Sequence, residues 1–146
     1  MSLSIEHHAP DECVFCRLIA GQLPAVKVHE DVLTLAFMDI GQLNPGHTLV
    51  AIKRHAPTLL DLPPEEAGAA MQTARRIALA VEQSFHPSGI TLLQANGKDG
   101  EQTVFHFHIH VLPRHRDDGI GLLWPRKNPP PEQLEAYARQ LRAALL

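Results

Sequence analysis

The chain has 146 residues and a mass of 16.1 kDa, which is the length of a single domain. Hydrophobic residues make up 45% of it and charged residues 20%, so it has enough apolar side chains for a core. The formal net charge of −3 lacks the basic excess of nucleic-acid-binding and membrane-surface proteins. No run approaches the roughly 18 apolar residues of a membrane span, and the polar start does not resemble a signal peptide. We therefore expect a cytoplasmic protein with no nucleic-acid or membrane partner.

The N-terminal part of the chain is predicted to hold one helix and three strands. Residues 1–10 are expected to form a flexible leader. Between Asp11 and Gly21, apolar residues recur at helical spacing. Three runs rich in β-branched residues then predict strands at 26–29, 32–39 and 48–53, and a loop rich in glycine and proline joins the last two.

The rest of the chain alternates between helical and extended patterns. A long helix is predicted to begin at Pro63-Pro64-Glu65-Glu66, with an apolar stripe of Ala67, Met71, Ala74, Ala78, Val81 and Phe85. Strands are predicted at 90–94 and 104–112, and a short amphipathic helix over 134–145. This order favours an antiparallel α+β domain of about five strands over residues 11–125, with residues 126–146 as an extension whose helix packs on the domain.

Three of the ten histidines fall within five residues, at His106, His108 and His110. In a strand these side chains share one face about 6.6 Å apart, so the first and third lie about 13 Å apart. One metal ion cannot bind all three, although it could bind an adjacent pair. The opposite face is wholly apolar and is predicted to pack against a helix: Phe105, Phe107, Ile109 and Val111. The histidines therefore indicate either metal ligation or a neutral imidazole acting as nucleophile or base.

The two cysteines form a Cys-x-x-Cys pair at Cys13 and Cys16. Two cysteines cannot build a disulfide framework, and this spacing is typical of metal binding or redox chemistry. No thioredoxin-like βαβ pattern surrounds the pair, which disfavours the redox interpretation. Two buried cysteines without a metal remain an alternative.

The segment from His106 to Leu112 resembles the H-φ-H-φ-H-φ-φ motif of the histidine triad (HIT) superfamily of nucleotide hydrolases and transferases. Other segments resemble the family in the same order, so that the resemblance runs from about Cys13 to Arg114. They are 13–16, 35–40, 45–50, 53–55, 96–97 and 102–104. The resemblance implies a HIT-like α+β fold and a homodimer with a shared sheet.

The resemblance also implies a reaction and the residues that perform it. His108 matches the nucleophile that attacks the α-phosphorus of a nucleotide and forms a nucleotidyl-histidine, which water then hydrolyses. His110 and His47 match phosphate-contacting positions, and Thr103 matches a hydroxyl near the leaving group. Gln102 and the loop that contains Asn96 match the phosphate-contacting segment.

The nucleoside half of the substrate is implied to lie against N-terminal segments. Asp39 matches an acid that binds the ribose hydroxyls, and four apolar residues match positions around the base: Phe15, Leu18, Phe37 and Ile40. The implied substrates are purine nucleoside phosphoramidates or adenylates. A dinucleoside polyphosphate hydrolase and a non-catalytic nucleotide-binding sensor are the alternatives. Ala95 and Glu101 depart from the family, which has an amide and a glycine at these positions.

Some bacterial members of the family pair a Cys-x-x-Cys with two histidines, which match His55 and His106 here. The resemblance thus implies a closed, structural Zn²⁺ site made of Cys13, Cys16, His55 and His106. A zinc hydrolase that uses His106 and His108 as ligands for an activated water is the competing interpretation. If the cysteines share a metal with His106, that metal has no open position for water.

Overall fold

The structure, a computed structural model, describes residues 3–6, 9–121 and 124–145. The helices are α1 (Val14–Ile19), α2 (Pro64–Phe85) and α3 (Pro131–Ala144). The strands are β1 (Lys27–Glu30), β2 (Thr34–Met38), β3 (Thr48–Ile52), β4 (Gly89–Leu93) and β5 (His108–Arg114). They form one sheet in the order β1-β2-β3-β5-β4, and each neighbouring pair is antiparallel. The predicted α+β class with a five-stranded antiparallel sheet is confirmed.

Helix α2 connects β3 to β4 and covers one face of the sheet. It begins with Pro64, and Glu65 and Glu66 lie in its first turn, where the helix dipole favours acids. Its buried residues are Ala70, Thr73, Ala74, Ile77 and Val81. The predicted stripe was therefore partly wrong: Met71 and Phe85 are 51% and 43% exposed, because the helix turns its small side chains to the sheet.

The two faces of the sheet have different cores. Facing α2, an apolar cluster contains Ile52, Phe107, Ile109 and Val111. The other face carries a second cluster in which Phe15 of α1 packs with Phe37 and Leu49. In the β3–β5 ladder, Leu49 lies opposite His110 and Ala51 opposite His108. The last two histidines therefore occupy the α1 side of the sheet, as the alternation predicts.

Strand β5 begins at His108 rather than at Val104, which corrects the predicted bounds. Residues 104–107 leave the regular ladder, since the Phe107 N–H donates to the Ala56 carbonyl at 2.7 Å. The Phe107 carbonyl in turn accepts from the Ile52 N–H at 3.4 Å. His106 thus precedes the strand, and its ring is fully buried.

The terminal segments differ from the sequence expectations in part. Residues 1, 2, 7 and 8 of the predicted leader lie outside the described residues, whereas the Ser4 carbonyl accepts a hydrogen bond from the Lys98 N–H at 2.9 Å. None of residues 131–144, all of which are described, is buried. The packing of helix α3 on the domain stays a prediction. Within residues 3–6, 9–121 and 124–145, no helix is long and apolar enough to cross a membrane.

Candidate functional site

The hydrogen bonds of His108 determine which of its ring nitrogens is free. Its Nδ1 lies 2.6 Å from the carbonyl oxygen of His106, and only a protonated nitrogen can donate to that oxygen. Burial lowers the pKa of His108 below its ordinary value, so the ring is neutral at pH 7. A neutral ring with its proton on Nδ1 has an unprotonated Nε2. That lone pair is what a nucleophile needs.

His47 and His110 form a hydrogen-bonded pair beside this nucleophile candidate. The Leu43 N–H points to His47 Nδ1 at 3.4 Å, which makes that nitrogen the acceptor. His47 Nε2 then carries the proton and donates to His110 Nδ1 at 2.9 Å. Asp39 Oδ2 lies 3.5 Å from the same Nε2. His110 is thereby left with its own proton on Nε2, so it offers a donor where His108 offers a lone pair.

Burial keeps these imidazoles uncharged. It lowers the pKa of His110 to about 4, and the neighbouring His108 and His47 rings contribute to the shift. Burial also lowers the pKa of His47, an effect that the Asp39 carboxylate partly offsets. The group therefore supplies neutral donors and acceptors at pH 7, rather than fixed positive charge.

A loop between β2 and β3 holds His47 through Gln42, a residue that the sequence analysis missed. The Gln42 amide donates to the carbonyls of Asp39 and His47, and its oxygen accepts from the N–H groups of Gly46 and His47. Gly46 has φ +97°, and a Cβ there would lie 2.7 Å from the Phe85 ring. The Pro45-Gly46 pair predicted a turn, but no local signal indicated this bonding role of Gln42.

The same loop is tied to the turn that follows β5. Asn44 Nδ2 donates to the Pro113 carbonyl at 2.8 Å and to Asp118 Oδ2 at 3.0 Å. Asp118 also binds Arg114 and accepts from the N–H groups of His115 and Ile120. These bonds hold the pKa of Asp118 far below its usual range. Neither Asn44 nor Asp118 belongs to a motif that predicted these bonds.

A separate group of cysteine and histidine side chains joins the N-terminus of α1 to the segment before β5. His106 Nδ1 lies 3.4 Å from the Sγ atoms of both Cys13 and Cys16, and His55 Nδ1 lies 3.2 Å from Cys16 Sγ. All four ligand atoms lie within 4.8 Å of one another. His106 Nε2 donates to the Ile52 carbonyl, which leaves the Nδ1 lone pair directed at the two sulfurs.

The donor set of this cluster fits Zn²⁺. Sulfur and nitrogen ligands around a tetrahedral zinc ion are separated by about 3.5 Å, close to the distances between Cys13, Cys16 and His106. Burial and the adjacent Cys13 thiol raise the pKa of the Cys16 thiol to about 12. A divalent cation reverses that penalty, because it stabilises the thiolate form of each cysteine. The cluster can therefore bind a metal ion.

The residues predicted to surround the nucleoside divide into buried and exposed groups. The Phe15 ring packs edge-on against Phe37 and His108, with centroids 5.2 and 5.0 Å apart. Leu18 packs against the same cluster, whereas the Ile40 side chain is fully exposed at 103%. Asp39 Oδ1 accepts from the Gly41 N–H at 2.8 Å, so this carboxylate supports a turn as well as facing His47.

The residues predicted to contact phosphate from the β4–β5 loop have other partners here. Gln102 is buried and accepts from the Gly97 N–H while it donates to the carbonyls of Pro57 and Val104. Asn96 bonds Gln94 and the Leu59 N–H. Both side chains thus shape the loop. The same loop contains Ala95, Glu101 and Thr103, and Thr103 is exposed.

Glu101 stands where the resemblance places a glycine, and its backbone shows why a glycine suits this position. Its φ is +68°, in the left-handed region that is costly for residues with a Cβ. The departure therefore changes the side chain and leaves the glycine-like backbone in place. Ala95 supplies no polar side chain to the loop.

Comparison of the sequence and the structure with known proteins identifies the family. A family model described as the HIT domain matches residues 20–117. The chain belongs to the HIT family. "Protein hit" of Bacillus subtilis is 41% identical to this HIT protein over 118 residues, 80% of this chain and 81% of that one. The crystal structure of a HIT family protein from Bacillus anthracis has a TM-score of 0.89 at 39% identity, covering 93% of this chain and 99% of that one.

Two further relatives concern activity and metal. Adenosine 5′-monophosphoramidase hnt1 of Schizosaccharomyces pombe is 31% identical to this HIT protein over 134 residues, 91% of this chain and 98% of that one. The crystal structure of a zinc-bound histidine triad family protein from Mycobacterium smegmatis has a TM-score of 0.73 at 36% identity, covering 94% and 100% of the two chains. The relatives of this HIT protein therefore include a nucleotide hydrolase and a zinc-bound protein.

Proposed function

We propose that the protein hydrolyses purine nucleoside phosphoramidates or adenylates through a nucleotidyl-histidine formed on His108. The observation that carries the proposal is the unprotonated Nε2 of His108, which the bond from Nδ1 to the His106 carbonyl leaves free. The name of the Schizosaccharomyces pombe relative, an adenosine 5′-monophosphoramidase, supports the substrate class.

In the proposed first step, His108 Nε2 attacks the α-phosphorus, and the bond from phosphorus to the leaving nitrogen or oxygen breaks. The bonding electron pair goes with the leaving group. The Thr103 hydroxyl would donate a hydrogen bond to the leaving atom, and a departing amine would take its proton from solvent. His110 Nε2–H donates to a phosphate oxygen, where negative charge grows in the transition state. In the second step, water attacks the same phosphorus and releases the nucleoside monophosphate and neutral His108.

The nucleoside is proposed to lie over the α1 side of the sheet. Phe15 contacts the His108 ring there, and the exposed Ile40 side chain is available to cover a base. Asp39, at the end of β2, would bind the ribose hydroxyls with the carboxylate oxygen that faces His47. Phe37 and Leu18 line the same side as part of the second core cluster.

The substrate proposal is tested by comparing three ligands under one set of conditions. We expect adenosine 5′-phosphoramidate to be hydrolysed to AMP with a kcat/KM above that for diadenosine triphosphate. Faster cleavage of diadenosine triphosphate would favour the dinucleoside polyphosphate hydrolase. Tight AMP binding by calorimetry without turnover of either compound would indicate a nucleotide sensor. Ala95 is the observation behind this alternative, because it replaces an amide that the family has at this position.

The zinc ion is proposed to be structural. Cys13, Cys16, His55 and His106 would fill all four positions of a tetrahedral ion, which leaves none for a water nucleophile. A zinc hydrolase would need His108 as a ligand, but the ligand cluster does not include it. When bound, the ion would join α1 to the segment before β5 and so hold Phe15 against His108.

The protein is also proposed to form a homodimer. Strand β4 is an edge of the sheet, and Ile90 and Leu92, which share one face of it, are 36% and 42% exposed. An edge strand with exposed apolar residues is suited to pair with a second copy. Light scattering after size-exclusion chromatography would give twice the chain mass for a dimer, and a single chain mass would reject it.

The pH dependence of the reaction follows from the depressed pKa values. His108 is active when neutral, and burial lowers its pKa below the ordinary 6.5. We therefore expect kcat/KM to stay level as the pH falls through 6.5 and to decline only below it. Zinc content measured at each pH separates this titration from metal loss. A half-maximal rate at or above pH 6.5 would contradict a buried, neutral nucleophile.

Stability should depend on pH in the same direction. The folded pKa of His110 is about 4, whereas an unfolded histidine titrates near 6.5, so the unfolded state binds more protons between these values. The free energy of unfolding is therefore fully retained above pH 6.5 and decreases as the pH falls towards 4. Denaturant midpoints across this range check the sign.

A further inference from the structure

An apolar cleft opens beside the proposed phosphate site, on the β4 side of β5. Its volume is about 160 Å³, and His47 and His110 form part of its wall. Four aliphatic side chains from different segments form most of the rest: Leu43, Leu93, Leu112 and Ile120. The cleft is thus continuous with the proposed catalytic group, yet none of the roles assigned above uses it.

The β4–β5 register and the turn after β5 build this cleft in advance. Leu93 pairs with His110 in the ladder and Thr91 pairs with Leu112, which places these four residues on one face. Ile120 closes the far end. Its N–H donates to Asp118 Oδ1 at 3.0 Å, and its carbonyl accepts from Arg114 Nη2 at 2.6 Å. Both backbone groups of Ile120 are therefore held in place.

The charge in the cleft is already neutralised. Among the described residues that line it, Arg114 is the only one with a permanent positive charge. Its guanidinium binds Asp118 through Nε at 2.8 Å and through Nη2 at 3.1 Å, and Nη1 reaches Thr91 Oγ1 at 3.3 Å. An anionic group entering the cleft would lose its hydration and find no unpaired cation in return. This disfavours a phosphate chain as the occupant.

The size and lining of the cleft indicate an aromatic or branched aliphatic occupant. A cavity of about 150 Å³ lined by leucine, isoleucine and phenylalanine holds benzene. Leu43 and Leu93 are 56% and 40% exposed in the free protein, so a bound apolar group would remove both from water. The cleft therefore favours an uncharged group about the size of a phenyl ring.

We propose that the cleft binds the leaving group, and that the enzyme prefers phosphoramidates or acyl adenylates whose amine or acid carries an apolar side chain of phenyl size. This inference rests on the proposed function. The reaction is then the cleavage of the bond from the α-phosphorus to the leaving atom, which departs with the electron pair. A departing amine takes up one proton, whereas a departing carboxylate stays ionised and the proton goes to solvent. Water supplies the hydroxyl that ends on the nucleoside monophosphate.

The test compares two adenosine 5′-phosphoramidates, one made from 2-phenylethylamine and one from the polar amine 2-methoxyethylamine. For the wild type we expect kcat/KM to be at least about tenfold higher for the phenylethyl compound, the discrimination that an apolar pocket can give. Ile120→Ala should reduce this ratio several-fold. Val32→Ala, at an 88% exposed position in the β1–β2 turn, is the matched control and should leave the ratio unchanged.

The outcomes separate the cleft from the reaction. Equal rates for the two compounds, or an unchanged ratio in Ile120→Ala with an unchanged melting temperature, would overturn the inference and leave the proposed function standing. Faster turnover of diadenosine triphosphate than of the phenylethyl compound would also overturn it. If neither phosphoramidate is hydrolysed, the proposed function fails. Calorimetry with both compounds then tests the cleft independently of turnover, because an apolar cleft predicts tighter binding of the phenylethyl compound.

Discussion

His108→Ala is expected to lower kcat for adenosine 5′-phosphoramidate by several orders of magnitude while the protein keeps its zinc and melts only slightly below the wild type. The reason is that the substitution removes the Nε2 nucleophile but none of the four proposed metal ligands. His108 does lose its contact with Phe15, so a small decrease in melting temperature is expected. Plasma emission analysis, thermal denaturation and steady-state kinetics on the same preparation measure the three quantities.

A histidine outside the site provides the control for this variant. His29→Ala, in the edge strand β1, removes an exposed hydrogen bond with Asp31 and should leave kcat within about twofold. If His108→Ala loses its zinc together with its activity, His108 is a metal ligand and the zinc hydrolase is favoured. Retained activity in His108→Ala would exclude the nucleotidyl-histidine outright.

Cys13→Ser is expected to have the opposite effects to those of His108→Ala, with loss of zinc and of thermal stability rather than loss of the nucleophile. Zinc content should fall to near zero, and the melting temperature by on the order of 10 °C, because metal binding contributes directly to folding. Cys13 is also the N-cap of α1, where its side chain accepts from the Cys16 N–H. Serine is a good N-cap residue, so the variant keeps the cap and isolates the loss of the metal. Turnover should decrease only as far as α1 and Phe15 become displaced from His108.

Chelation distinguishes metal loss from a packing defect in this variant. Wild-type protein treated with a strong chelator should melt at the temperature of Cys13→Ser, and the chelator should not shift the variant further. A wild-type protein that is purified without zinc, or that melts at the same temperature with and without chelator, would contradict the structural zinc site.

Local sequence patterns correctly predicted those features of the fold that depend on a single stretch of the chain. Pro63-Pro64-Glu65-Glu66 identified the start of α2, and the alternation in β5 identified its two faces. The predicted start of β5 at Val104 was wrong, because long-range contacts rather than local strand propensity determine where this strand begins. Phe107 bonds Ala56, and the His106 ring faces the cysteines of α1, so the backbone leaves the ladder before His108.

The candidate site was predictable where the residue types carry the chemistry. The histidines and cysteines were found from their spacing and from a family resemblance. Gln42, Asn44 and Asp118 were missed, because what they do depends on partners brought near by folding. Asn44 and Asp118, for example, are 74 positions apart in the chain and meet only when the loop after β2 contacts the turn after β5. A polar side chain in a loop carries no sign of such a bond in a single sequence.

The central claim is that His108 becomes covalently bonded to the α-phosphorus. Intact-mass spectrometry of wild-type protein, quenched in the first turnovers with an adenylate substrate, tests it directly. We expect a fraction of the chain to gain the mass of one adenylyl group, and fragmentation to locate that group on His108. His108→Ala should show no such addition. Turnover by the wild type without any adduct on His108, or an equal adduct on another residue in both proteins, would contradict the mechanism.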